Sequence, residues 1–293
     1  MNEIYHKSVL VNEVLEYLNP QPNKIYVDVT FGGGGHTRAI SQSEPKCKVI
    51  AIDWDNVAIE KNGPELQEEF GDRIKLIWGN FAQIVYLLKK EGISKVDGIL
   101  ADFGTSQYQI TKRPGFSFSR STPLDMRMSP GHQKVTAQDI INKASEAELI
   151  KIFKDYGEEP FARRIAKAIC LERKKKRFDD TLQLAELVKK TVPQINKKIH
   201  PATKVFQALR IAVNKELEQI KALLHHSIQL LNPEGRIVCI SFHSLEDRIV
   251  KQFFKEHEQE LKNLTQKVVT ATEEEIKKNP SSRSAKLRAA EKI

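Results

Sequence analysis

The sequence predicts an α/β fold, in which helices cover both faces of a mostly parallel sheet and a helical module is inserted into it. Short apolar segments alternate with helical patterns from residue 8 to residue 102 and again after residue 213. Between these stretches, residues 136–213 predict helices with little strand signal. We therefore expect a core made of residues 1–106 and 211–293, with an inserted, mostly helical, basic subdomain at residues 107–210.

Each strand of the core is predicted from a short apolar run bounded by turn residues. The first element is a helix over residues 8–18, with Ser8 as its N-cap. The predicted strands are 25–30, 48–53, 74–78, 96–101, 236–241 and 284–291. A helix from about Val57 to Phe70 follows the second strand, and Pro233-Glu234-Gly235 predicts a turn before the fifth.

The composition is that of an ordinary globular protein, with 40% hydrophobic and 29% charged residues in a chain of 293. No apolar run approaches the roughly 20 residues that span a bilayer, and no secretory signal is visible. The three cysteines, Cys47, Cys170 and Cys239, are far apart and lack a C-x-x-C spacing. We therefore expect a cytoplasmic protein without a disulfide framework, a metal site or a membrane partner.

The positive charge of the chain is concentrated in the predicted insertion. The net charge is +9, yet residues 107–210 alone contain 22 Lys+Arg and 11 Asp+Glu, so the rest of the chain is slightly acidic. A basic module in a near-neutral chain indicates a polyanionic partner. A solvated, lysine-rich surface would give the same charge pattern, and charge alone does not separate the two.

A glycine run after the first strand predicts a nucleotide-like ligand. Phe31-Gly32-Gly33-Gly34-Gly35-His36 lies between a strand and a helix, where backbone can approach such a ligand closely. Asp53 ends the next strand, as an acid that binds ribose hydroxyls does. NAD and S-adenosylmethionine both carry a ribose, and a plain glycine turn remains an alternative.

Three further features favour S-adenosylmethionine over NAD. The loop lacks the spaced G-x-G-x-x-G that seats a pyrophosphate. Asp28, just before the glycines, is placed to hold the amino group of a methionine moiety. Phe81 and Asp102, at the ends of the third and fourth strands, would border the adenine and the reacting centre. Core packing for Phe81 and a turn cap for Asp102 are the structural alternatives.

Eight ordered motifs resemble one known family. They are Thr30–His36, Ala51–Asp53, Gly115–Phe118, Pro123–Met128, Tyr156–Glu159, His200–Thr203, Phe206–Ile211 and Ser241–Arg248. From about His6 onward the chain resembles the bacterial small-subunit ribosomal RNA (cytosine-N4)-methyltransferases, the MraW or RsmH family. In one stretch, Gly104–Ile110, it lacks the proline of the family pattern but retains Gln109.

The resemblance implies a Rossmann-like class I methyltransferase core with an inserted helical subdomain. It implies that S-adenosyl-L-methionine is the cofactor and that the N4 amino group of a cytidine in 16S ribosomal RNA, at the decoding centre of the small ribosomal subunit, is methylated. The cofactor contacts that it implies are Gly34, Gly35, His36, Asp53, Phe81, Asp102 and Gln109.

The cysteines also bear on the chemistry. Methylation at carbon-5 of cytosine needs a cysteine nucleophile, and none of the three lies in a loop at the carboxyl end of a predicted strand. An exocyclic amine needs only an acceptor for its hydrogen. Asp102 is the first candidate for this catalytic role, with His243 or Ser244 after the fifth strand as others. A loop-organising hydrogen bond is the alternative for His243.

The densest basic run of the insertion predicts phosphate contacts. We expect RNA to be bound by Arg163, Arg164, Lys167 and the residues Arg173, Lys174, Lys175, Lys176 and Arg177, with a second run at Lys197, Lys198 and Lys204. Alternative functions are a non-catalytic RNA-binding or ribosome-assembly protein on the same fold, an NAD-dependent oxidoreductase, and a methyltransferase acting on DNA or a small molecule.

Overall fold

A computed structural model describes residues 7–105, 107–193 and 200–293 of the chain. Contacts divide the chain into two compact units. Unit 1 consists of Met1–Ser106 with Leu217–Ile293, and unit 2 of Gln107–Glu216. The sequence placed the second junction after Arg210, whereas the helix Thr203–Asn214 continues through that position. Within the described ranges, no helix combines the length and the apolar character that a bilayer crossing requires.

Unit 1 is built on a sheet in which eight strands are described. They are β1 (Ile25–Asp28), β2 (Lys48–Asp53), β3 (Ile74–Trp78), β4 (Val96–Asp102), β5 (Leu231–Ser241), β6 (Leu261–Asn263), β7 (Val269–Thr270) and β8 (Lys286–Lys292). The order is β3-β2-β1-β4-β5-β8-β6, and β7 pairs with β8. Strands β1 to β5 are parallel, whereas β8 is antiparallel to β5, β6 and β7. The predicted parallel-dominated α/β core is confirmed.

Helices numbered along the whole chain flank this sheet. In unit 1 they are α1 (Val11–Leu18), α2 (Gly35–Ser43), α3 (Asn56–Phe70), α4 (Ile84–Lys90), α11 (Glu216–Leu230), α12 (Ser244–Glu256) and α13 (Glu273–Lys278), with 3-10 turns at Gly71–Arg73, Phe81–Gln83 and Pro280–Ser284. The central strands are apolar on both faces, as a covered parallel sheet requires. In β4, for example, Ile99, Leu100 and Ala101 are all fully buried.

Unit 2 is helical, with its own apolar core. Its helices are α5 (Gln107–Lys112), α6 (Ala137–Lys143), α7 (Glu146–Asp155), α8 (Ala162–Glu172), α9 (Thr181–Thr191) and α10 (Thr203–Asn214). Capping boxes begin α6 at Thr136 and α7 at Ser145. Ile165 and Ile169 of α8 are fully buried in this core. The exposed positions of α8 are Arg163, Arg164, Lys167 and Leu171.

Three local predictions differ from the structure. Helix α1 begins at Val11 rather than after Ser8, because Leu10 occupies the N-cap in the left-handed region with φ 52°. Ser8 packs instead on Gly35, where an added Cβ would lie 2.3 Å from its hydroxyl oxygen. The predicted turn at residues 233–235 lies inside β5. There the pairing of β5 with β4 shifts in register, between Leu231 and Arg236. The polar stretch 257–283 contains β6, β7 and α13, which had no periodic signal.

Candidate active site

The carboxyl ends of the parallel strands bring the predicted cofactor residues of unit 1 to one edge of the sheet. Asp53 and Asp102 are the last residues of β2 and β4, and Phe81 begins a 3-10 turn shortly after β3. The glycine run follows β1 and leads into α2. This is the edge at which open α/β sheets bind ligands, so the topology places these residues where a cofactor site is expected.

Asp28 organises the glycine loop from beneath. Its side chain is fully buried. Oδ1 accepts the backbone N–H of Thr30 at 3.1 Å, and Oδ2 accepts the hydroxyl of Thr37 at 2.7 Å. The hydroxyl of Thr30 in turn accepts the N–H of Asp102 at 2.7 Å, which joins the loop to the end of β4. The sequence places Asp28 where it could hold the amino group of the cofactor. In the structure, both oxygens of its carboxylate already accept hydrogen bonds from the loop and from α2.

The glycines of the loop are required by conformation and by space. Gly34 is the N-cap of α2 with φ 76°, in the left-handed region that favours glycine. A Cβ at Gly34 would lie 3.0 Å from side-chain carbons of Leu66 and Phe31. Gly35 opens α2 against Ser8 and leaves no room for a side chain. The loop therefore presents bare backbone at the start of a helix, which suits close approach of a ligand.

Asp53 is tied to the same loop. Its Oδ2 accepts the N–H of Gly32 at 2.7 Å, and its Oδ1 accepts the N–H of Asp55 at 2.7 Å. Desolvation raises the pKa of this carboxyl to about 7, against the lowering effect of both N–H donors. Each oxygen retains a second lone pair, so the partly exposed carboxylate can still accept hydrogen bonds from ribose hydroxyls.

Asp102 presents an unpartnered oxygen. The residue is only 9% exposed, and its Oδ1 is buried without a hydrogen-bond partner. Its Oδ2 lies 3.8 Å from Nδ1 of His36. Desolvation raises the pKa of Asp102 to about 6, and His36 opposes the shift. A buried carboxylate oxygen with no partner is costly unless a ligand satisfies it, which argues against the simple turn cap and for a binding or catalytic role.

The carboxyl groups at this edge of the sheet carry negative charge when ionised, and burial opposes that ionisation. Asp28, Asp53 and Asp102 all have raised pKa values, first of all because they are desolvated. In the part of the chain that the structure describes, no lysine or arginine forms an ion pair with any of them. A cationic ligand would offset this charge, whereas a pyrophosphate would add to it. The residues therefore fit S-adenosylmethionine, which carries a sulfonium and an ammonium group, better than they fit NAD.

Phe81 and His243 complete the predicted residues of unit 1. Phe81 is partly exposed, and its ring centroid lies 6.2 Å from that of Phe103. It is thus available to border an adenine. His243 is the N-cap residue of α12, with Nε2 3.2 Å from Oε1 of Glu246. Because the other oxygen of Glu246 accepts the N–H of Phe242 at 2.8 Å, this group orders the turn after β5.

The remaining predicted residues lie in unit 2. Gln109 is on α5 and 8% exposed. The arginines Arg163 and Arg164 are exposed on α8, and the run 174–177 is exposed just after it. Arg173 instead donates to the Ile141 carbonyl at 2.8 Å. Lys197 and Lys198 lie outside the described residues, and Lys204 donates to the Glu158 carbonyl at 2.9 Å.

Sequence reasoning missed the residues that support the site. Thr30 and Thr37 bind Asp28, and Asn62 of α3 donates to the Gly32 carbonyl at 2.9 Å. The carbonyl oxygen of Val9 accepts a hydrogen bond from Nε2 of His36. Thr30 belongs to a recognised motif, but nothing in the local sequence marked Asn62 or Val9, because their roles depend on long-range packing.

Known proteins are similar to this chain over nearly its whole length. Residues 3–293 match the MraW methylase family. The chain is 47% identical over 294 residues to the ribosomal RNA small subunit methyltransferase H of Persephonella marina, covering 99% of this chain and 100% of that protein. It is 46% identical over 309 residues to the protein of the same name from Syntrophotalea carbinolica, covering 98% of each. An rRNA methylase from Streptococcus thermophilus is more distant, with 9% identity and a TM-score of 0.46 over 97% of this chain and 93% of that one.

Proposed function

Because this chain belongs to the MraW methylase family, we propose that it transfers the methyl group of S-adenosylmethionine to small-subunit 16S ribosomal RNA. The acceptor that we propose is the N4 amino group of a cytidine at the decoding centre. The relatives that cover its full length are named as ribosomal RNA small subunit methyltransferases. An enzyme with this substrate works where ribosomes are assembled, so we propose that it acts in the cytoplasm.

The observation that carries the proposal is the free Oδ1 of Asp102 at an edge rich in carboxylates. Bound S-adenosylmethionine supplies an electrophilic methyl group on a positive sulfur. Gly34 and Gly35 would hold the cofactor through backbone, Asp53 would accept its ribose hydroxyls, and Phe81 would lie against its adenine. The negative edge then stabilises the positive charge that the bound cofactor brings.

Asp102 is suited to receive the proton that the reaction releases. An exocyclic amine that gains a methyl group must lose one hydrogen to become neutral again. The buried Oδ1 of Asp102 has no competing donor, and its pKa of about 6 keeps most of the carboxylate ionised at neutral pH. His243, at the end of β5, is the second candidate. Its position beside Glu246 favours a role in ordering the turn.

The exposed cations of unit 2 supply the RNA-binding surface in this proposal. Arg163, Arg164 and the residues 174–177 form a dense positive stretch on α8 and directly after it. Contacts to phosphate position RNA without reading its sequence. A non-catalytic RNA-binding protein would not need an unpartnered carboxylate at the cofactor edge, and for this reason we favour the enzyme over that alternative.

The proposal is tested with small ribosomal subunits from a strain that lacks the corresponding enzyme. Purified protein and S-adenosylmethionine are added, and the RNA nucleosides are analysed by mass spectrometry. We expect N4-methylcytidine to appear in 16S RNA, and Asp53→Ala to reduce it at low cofactor concentration. Methylation at carbon-5, or no methylation of subunits at any assembly stage, would refute the proposed reaction.

A further inference from the structure

The imidazole of His36 is buried between a carbonyl group and a carboxylate. The residue is the second of α2 and 4% exposed. Its Nε2 lies 2.9 Å from the carbonyl oxygen of Val9. A carbonyl oxygen only accepts hydrogen bonds, so Nε2 must carry the hydrogen. The tautomer of His36 is thereby fixed, and Nδ1 is the nitrogen that faces Asp102.

The geometry at Nδ1 leaves the two oxygens of Asp102 unequal. Nδ1 lies 3.8 Å from Oδ2, which is too long for a hydrogen bond but short for an electrostatic interaction in a buried site. Oδ1 has no partner. One oxygen is thus directed at the imidazole and the other remains available. The resemblance implies that His36 contacts the cofactor; because its side chain is used inside the protein, such a contact would be made by its backbone.

We propose that His36 is a positioning residue for Asp102: its Nδ1, when protonated, places a positive charge beside Oδ2, so that Oδ1 stays an ionised acceptor. This inference rests on the proposed function, in which Asp102 accepts the proton released by the amine. It assigns His36 an electrostatic role that acts through Asp102.

The surroundings determine the direction of the effect. Besides His36, the titratable groups that act on Asp102 are Asp28 of β1 and Glu246 of α12, and both raise its pKa. The charge of His36 lowers it most, and the backbone N–H of Gly104 lowers it less. Without the imidazole, Asp102 would face two carboxylates and no cation, so its pKa would rise further above its present value of about 6.

The Val9 carbonyl that fixes His36 is itself held in place. The backbone N–H of Leu10 donates to Glu275 at 2.8 Å, and Asn279 donates to the Lys7 carbonyl at 3.0 Å. These bonds tie the segment before α1 to α13 and the turn that follows it. The orientation of His36 therefore does not depend on a freely moving loop.

The first test is the pH profile of kcat for His36→Gln. Glutamine can still donate to the Val9 carbonyl, but it has no protonatable group facing Asp102. We expect the acidic limb to move about one pH unit upward, so that kcat near pH 6 falls roughly fivefold while kcat above pH 8 changes little. The KM for S-adenosylmethionine should be unchanged. His257→Gln is the matched control. His257 is the C-cap residue of α12, and its Nδ1 lies 3.0 Å from the carbonyl oxygen of Phe253.

The second test needs no activity. Histidine ¹⁵N spectra of the ligand-free protein should show His36 with its hydrogen on Nε2, and Asp102→Asn should shift the Nδ1 resonance, because the neighbouring charge is removed. A uniform loss of kcat at all pH values in His36→Gln would overturn the inference and leave a merely structural role. A hydrogen on Nδ1 of His36 at pH 8, or an Nδ1 resonance that Asp102→Asn leaves unchanged, would also overturn it. If the protein transfers no methyl group but the spectra behave as expected, the proposed function fails and the coupling of His36 to Asp102 stands.

Discussion

Gly34→Ala should destabilise unit 1 through two separable effects. The first is backbone strain, because alanine at φ 76° is forced into the left-handed region, at a cost of about 1–2 kcal/mol. The second is steric. The new methyl group would lie 3.0 Å from carbons of Leu66 and Phe31, both of which are buried and cannot move freely. Overpacking of this kind costs about 1–3 kcal/mol. We expect a total loss of about 2–5 kcal/mol in the free energy of unfolding.

The chain offers a matched control at Gly92. Its φ is 73°, nearly that of Gly34, but no heavy atom lies within 4 Å of an added Cβ. Gly92→Ala therefore carries the backbone strain alone, at about 1–2 kcal/mol. Unfolding in urea can be followed by tryptophan fluorescence. The only two tryptophans, Trp54 and Trp78, both belong to unit 1, so the signal reports on this unit.

The difference between the two variants measures the steric effect at position 34. We expect Gly34→Ala to lose at least about 1 kcal/mol more than Gly92→Ala, with unchanged denaturant slopes. Equal losses of unfolding free energy in the two variants would show that the side chains of Leu66 and Phe31 move aside for the methyl group without destabilising the fold. The glycine at position 34 would then be needed for its backbone conformation alone, and our reasoning about space in the loop would be refuted.

Three further predictions concern the site. Asp53→Ala should weaken S-adenosylmethionine binding by about 1.5–3 kcal/mol, because charge-assisted hydrogen bonds to ribose are lost; an unchanged dissociation constant in calorimetry would contradict this role. Asp102→Asn should reduce kcat far more than cofactor affinity and should abolish the acidic limb near pH 6, since the carboxyl acts when ionised and its pKa is about 6; equal losses in kcat and affinity would make it only a cofactor-holding group. Replacing residues 174–177 together by neutral residues should raise the KM for small subunits and leave cofactor binding unchanged. The slope of log affinity against log salt concentration should fall by the equivalent of up to about four phosphate contacts. A slope equal to that of the parent protein would show that this run is only a solvated surface.

Two strands of unit 1 were predicted with the observed bounds. The strand 48–53 is a nearly continuous buried apolar run between polar turns, which leaves few alternatives. The strand 74–78 lies at the edge of the sheet and is only partly buried, but its isoleucine, leucine and tryptophan residues still indicate a strand. The strands β6 and β7 were not predicted, since they are short, partly exposed and paired with a strand distant in sequence. Helix α1 began later than predicted because tertiary packing of Leu10 and Ser8 overrode the local capping signal.

The positions of the candidate site residues in the fold could be predicted, but the contacts that support them could not. Strand ends in a parallel sheet fix where Asp53 and Asp102 lie, so residue type and topology were sufficient. The direction in which His36 points depends on the Val9 carbonyl and on Asp102, and no local pattern encodes either contact. Electrostatic properties such as the raised pKa of Asp53 depend on burial and could be seen only in the folded chain.

The position of β8 has a consequence for how the protein is made. A ribosome releases the chain from the amino end, yet residues 286–292 occupy the place between β5 and β6. Until they are synthesised, β5 exposes an unpaired edge that can pair with other extended chains. Unit 2 is continuous in sequence and has no such dependence. The nascent chain thus carries a finished helical unit beside an unfinished sheet, and protection of the β5 edge during translation becomes a requirement for efficient production.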